Sequence, residues 1–108
     1  MVLWKNTKKE KEKFWGINML NNKNGKLYVG EHEVIKGYES FSGWYWFVTE
    51  IEEENYEGYP LYFGYVQGFE DEWGSFWLGE LQPLIDKGKV WEIKEQDLVH
   101  AGRRGKGY

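Results

Sequence analysis

The amino-acid sequence predicts an α+β fold, a twisted antiparallel β-sheet of five or six strands with one or two short helices. Most of the chain consists of short apolar runs broken by glycine- and asparagine-bearing turns, the pattern of an antiparallel meander. A single stretch near Leu78 to Asp86 instead places Leu78, Leu81 and Ile85 at helical spacing. With 7 Trp, 8 Tyr and 6 Phe in 108 residues, a few packed rings, each burying about 150–250 Å², are enough to hold one core together. The chain is therefore read as a single domain over 1–108.

In chain order, "NTKKEKEK" (Asn6 to Lys13) reads as a short helix capped by Asn6 or Thr7, or as a frayed, solvated lead over 1–13. "FWGINML" and "KLYVGEHEVI" flank Asn24-Gly25, two residues that tolerate positive φ, so a hairpin is expected across Phe14 to Ile35. "GWYWFVTEIE" is apolar on both faces at its start, Trp44, Trp46 and Val48 against Tyr45 and Phe47, which predicts a central strand covered on two sides. Glu52 to Gly58 reads as the turn after it. "YPLYFGYVQG" returns with Pro60 at its start, where a missing N–H does little harm, and "SFWL" is the next strand. The helix that follows has Glu80 in its first turn, Pro83 near that turn, Lys87 at its end and Gly88 as its stop. "VWEIKEQDLV" alternates as a last strand, and 101–108 has the glycine and charge content of a mobile tail.

Charge is distributed in blocks. Between Gly37 and Asp86 stand 11 acidic side chains and no lysine or arginine, while both flanks are net basic and the whole chain is -4. Potentials of several kT build over surfaces of one sign, so the block is a candidate binding footprint. The absence of cysteine excludes disulfides, thiolate metal sites and cysteine nucleophiles, and suits a cytoplasmic location. No apolar run is long enough for a membrane span, and the first residues lack the pattern of a secretion signal.

Several of these segments together resemble domain-of-unknown-function family 2958, small proteins of bacteria, plasmids and phages. The residues that carry the likeness lie between Gly43 and Leu81: the tryptophan-rich strand ending in Thr49-Glu50, then Phe63-Gly64-x-Val66-x-Gly68, the acidic residues before Gly74, and Phe76 with Glu80-Leu81. The first 40 residues depart from the family's pattern, having an Asn-Gly hairpin where a proline-containing lead-in is expected. The resemblance implies a mobile-element setting and supplies no catalytic residues.

Catalytic chemistry finds little support in the residue types. Glu31 and Glu33 face away from His32 on a strand, so the three do not chelate one ion, and His32 reads as a surface histidine. Ser40, Ser42 and Ser75 lack a nucleophile-elbow setting, and no phosphate-cradling loop is present. Glu70, Asp71 and Glu72 lack the spacing of a calcium loop. No catalytic residue, metal ligand or cofactor is assigned. The alternative of a carbohydrate-active or other small-molecule enzyme rests on one carboxylate pair, Glu50 and Glu80.

Two readings of the acidic block stand. In one, the carboxylates are solvated turns and guarded sheet edges. In the other, Glu50, Glu52, Glu53, Glu54, Glu57, Glu70, Asp71 and Glu72 mimic nucleic-acid phosphates and occupy the basic groove of a host protein, such as a CRISPR effector or restriction system, without contacting nucleic acid. These residues form two groups at opposite ends of one strand, so a continuous patch requires curvature, or Glu39 and Glu80 to bridge it. A second expectation concerns Tyr45, Phe47, Tyr62 and Tyr65: a sheet this small is not expected to bury both faces, which leaves some of these rings for a protein-binding or homodimer surface.

Overall fold

The computed structural model describes residues Met19 to Arg104, and the expectations for residues 1–18 and 105–108 lie outside it. The architecture is α+β: a three-stranded and a five-stranded antiparallel sheet with two short helices. Strands β1 (Leu20–Lys23), β2 (Lys26–Val29) and β3 (His32–Glu33) make the small sheet. The large sheet contains β4 (Lys36–Ser40), β5 (Tyr45–Tyr56), β6 (Tyr59–Gln67), β7 (Asp71–Trp77) and β8 (Val90–Glu92), in the order β7-β6-β5-β4-β8. Helix α1 (Leu78–Asp86) follows β7, and the one-turn α2 (Glu95–Leu98) follows β8.

The Asn24-Gly25 turn forms as its residues dictate. Both adopt positive φ, 53° and 77°, and the strands pair Lys23 with Lys26 and Leu20 with Val29. The two-sided apolar pattern of β5 is also realised, since β5 is the central strand. On one face Phe47, Phe63, Tyr65 and Trp73 pack against Leu27 and Val29 of the small sheet and Val34 just after it. On the other, Trp46, Val48, Tyr62, Val66 and Phe76 pack beneath Leu81 of α1. Each face thus has its own cover, one a sheet and the other a helix, which is how a small domain buries both.

Several boundaries differ from the sequence reading. Glu52 to Tyr56 are strand, and the turn is only Glu57-Gly58, with φ of 49° and 95°. Polar composition suggested a loop, yet this part of β5 extends past the covered sheet, where charged side chains face solvent at no cost. The strand β7 begins at Asp71, four residues before Ser75, and Leu78 already belongs to α1. Pro83 lies inside α1 and not in its first turn. The helix does stop at Gly88, with Gly88 N donating to Ile85 O at 2.9 Å and Lys89 N to Leu84 O at 2.9 Å around a φ of 75°. The last predicted strand ends at Glu92, and its second half forms α2.

The segment read as a mobile tail is fastened through Arg104. Arg103 N donates to Gln67 Oε1 at 2.6 Å, Gln67 Nε2 donates back to Arg103 O at 2.9 Å, and the guanidinium reaches Gly68 O and, at 3.4 Å, Asp71. Gln67 is 1% exposed, so its amide has no water to turn to and the backbone of Arg103 satisfies it. Arg104 Nη2 donates to Val99 O at 2.9 Å.

Candidate functional site

The outer half of β5 and the start of β6 form an arm. Every residue from Glu50 to Tyr59 is exposed, including Glu50, Glu52, Glu53, Glu54 and Glu57. Between the Val48–Gly64 and Tyr56–Tyr59 pairs, β5 runs eight residues against five on β6, so extra residues bulge and bend the strand. The first bulge is made possible by Gly64, where a Cβ would overlap the carbonyl of Phe47. At the tip, Asn55 Oδ1 accepts from Gly58 N at 2.7 Å and fixes the turn.

The arm is buttressed from β7. Glu53, Leu61 and Trp77 form one cross-strand row and share a face. Trp77 Nε1 donates to Tyr56 O at 2.8 Å, and its indole meets the rings of Tyr56 and Tyr59 edge-on at centroid distances of 5.7 Å and 6.3 Å. Ser75 Oγ donates to Glu52 Oε1 at 2.9 Å. Among the described residues, Glu52, Glu53, Glu54 and Glu57 make no ion pair. Tyr56 and Tyr59 keep 41% and 37% of their surface in solvent, and the sequence reading missed both as surface rings. The signal available was their position, one on each side of a Glu-Gly turn.

The second acidic group, Glu70, Asp71 and Glu72, lies at the other end of the nine-residue β6, about 26 Å away at the rise of an extended strand. Asp71 accepts from Gln67 Nε2 at 3.0 Å and Tyr65 Oη at 3.3 Å and pairs with Arg103, so it fastens the C-terminal segment. Glu70 is exposed and Glu72 half-buried on the α1 side, opposite to Asp71.

Of the four rings among which some were expected at a surface, three are core. Phe47, Tyr62 and Tyr65 are 0%, 3% and 2% exposed, because the small sheet covers one face and α1 the other. Tyr45 alone is half-buried, donating to Glu39 Oε2 at 3.2 Å and stacked on Phe47 at 5.6 Å. Burial and the Asp71 carboxylate push the Tyr65 hydroxyl well above the ordinary tyrosine range. Burial and the hydrogen bond to Tyr62 do the same for Tyr38. Among the described residues the aromatic side chains most open to solvent are others, Phe69 at 94% and Phe41 at 72%, on two neighbouring turns at the end of the sheet opposite the arm.

Glu50 and Glu80 do not converge. Glu50 pairs with Phe63 and shares its face, whereas α1 packs Leu81 on the opposite face, so the sheet separates the two carboxylates. The enzyme reading loses its acid–base pair. His32 is half-buried and packs edge-on against Trp73 at 5.5 Å, not free at the surface. A cleft of about 550 Å³ lies elsewhere, walled by Leu27, Val34, Ile93 and Leu98 and rimmed by the Lys26–Glu33 and Lys36–Glu92 pairs at 3.4 Å and 3.6 Å. None of the acidic-block residues lines it. Among the described residues no three His, Cys, Asp or Glu side chains gather as a metal site, and no helix is long and apolar enough to cross a membrane.

Comparison with protein-family models, curated proteins and solved structures returns no match. The likeness to family 2958 accordingly rests on the quoted residues alone, and the functional reading rests on the arm.

Proposed function

We propose that this chain is a small, cytoplasmic, non-enzymatic binding protein whose acidic arm occupies the basic surface of a nucleic-acid-handling protein. The observation that carries the reading is a single one: Glu53, Glu54 and Glu57 stand exposed on a preformed two-stranded arm and, among the described residues, without ion pairs. A basic groove that binds phosphates draws most of its affinity from charge, so an arm of carboxylates competes for it. The buttress from Trp77 supports the reading further, because an arm already held in shape loses little conformational freedom on docking. The setting is that of a phage or other mobile element acting against a host defence enzyme, such as a CRISPR effector or restriction nuclease. The second acidic group is not part of the contact.

A capture experiment from host lysate tests it, with bound proteins identified by mass spectrometry at about 50 mM and about 500 mM salt. The expected catch is a DNA- or RNA-binding protein retained at low salt, released at high salt, displaced by duplex DNA, and not retained by the triple variant Glu53→Gln, Glu54→Gln, Glu57→Gln. Retention of the same proteins by the variant would overturn the assignment of the arm.

A further inference from the structure

The arm is more than a string of carboxylates, because one face combines them with rings. Glu53 shares its cross-strand row with Trp77, and Trp77 gathers Tyr56 and Tyr59 around it. Both tyrosines keep over a third of their surface open, while the Trp77 indole between them lies against Gly79 of α1. A lysine ammonium meets such a surface only as a compact, strongly hydrated point charge. An arginine guanidinium is planar and weakly hydrated, stacks on a ring, and presents a fork that a carboxylate accepts with two parallel hydrogen bonds. Rings and a carboxylate on one face therefore favour arginine.

Resting on the acidic-arm reading, the geometry points to a partner surface made of arginine and not of lysine: the arm is an arginine-selective contact, with Tyr56 and Tyr59 as stacking platforms and Glu53 as an acceptor. Charge complementarity selects a basic partner, and the exposed rings select among basic side chains. Interfaces concentrate their energy in such aromatic–arginine pairs.

The test uses the full chain and two fluorescent peptides of equal length and charge, oligoarginine and oligolysine, titrated by anisotropy at low salt. Each stacked guanidinium is worth about threefold in affinity at an exposed site, so two give roughly a tenfold preference for the arginine peptide. In the Tyr56→Leu, Tyr59→Leu variant, which keeps apolar bulk but removes the ring faces, the two peptides bind alike. The Tyr56→Phe, Tyr59→Phe variant retains the preference, because the ring and not the hydroxyl provides it. A thermal unfolding curve for each variant confirms that the fold is intact, and Tyr59→Leu alone serves if the double variant unfolds. Equal binding of both peptides by the unmodified chain overturns the arginine inference while leaving the acidic arm in place. Binding of neither peptide, or binding unchanged by the glutamine triple variant, overturns the arm reading and the inference with it.

Discussion

Replacing Phe47 by alanine decides whether this ring belongs to the core or to a binding surface. The side chain is fully buried, stacks on Tyr45 at 5.6 Å, and belongs to the cluster with Phe63, Tyr65 and Trp73. Removing it forfeits about 2–3 kcal/mol of transfer free energy. The surroundings are poorly placed to close over the hole, since two sheets meet there and strand backbones on both sides are fixed by their ladders. The cavity left behind brings the total to about 4 kcal/mol. A domain of this size has about 5–15 kcal/mol in all, so the variant should melt about 15–30 °C lower while remaining folded at room temperature. Urea unfolding followed by tryptophan fluorescence reads the difference as a lower midpoint at unchanged slope. A cost below about 1 kcal/mol, together with loss of partner capture, would refute the placement of Phe47 inside.

Two further outcomes follow from particular contacts. The folded state holds the Tyr38 and Tyr65 hydroxyls protonated beyond the ordinary tyrosine range, so their stabilisation is complete below about pH 10 and is lost as pH rises past it. Each tyrosine linked in this way steepens the alkaline loss of stability by up to about 1.4 kcal/mol per pH unit, and the Tyr38→Phe, Tyr65→Phe variant should unfold in urea with a visibly flatter dependence between about pH 9 and about pH 11; identical slopes would contradict the burial of these hydroxyls. Gln67→Leu preserves volume but leaves the N–H and C=O of Arg103 without partners, at about 1–3 kcal/mol, and should release the Arg103 amide to rapid hydrogen exchange, whereas unchanged protection would show that Asp71 alone fastens the segment.

What could be read in advance divides along the range of the interactions. The Asn24-Gly25 hairpin, the Gly88 stop and the central position of β5 depend on backbone preferences or on alternation within a few residues, and all were legible. The extension of β5 through Tyr56 was not, because a charged segment is a strand only when its neighbour β6 pairs with it, and that pairing carries extra residues no periodicity reveals. Pro83 misled for a related reason: packing of Leu81, Leu84 and Ile85 under the sheet keeps α1 helical on both sides of the proline. The site shows the same division. The acidic density of the arm is plain in the sequence, but the diversion of Asp71 to Arg103 and of Glu52 to Ser75 joins residues 32 and 23 positions apart. The burial of Tyr62 and Tyr65 likewise required knowing that two separate covers exist.

The most direct test of the acidic arm is the salt dependence of its affinity for the nucleic-acid-binding protein it captures, measured for the unmodified chain and for the Glu53→Gln, Glu54→Gln, Glu57→Gln variant between about 50 mM and about 500 mM salt. The account predicts affinity that falls steeply with salt for the first protein and a weaker, much shallower dependence for the second. Superimposable curves for the two would contradict it.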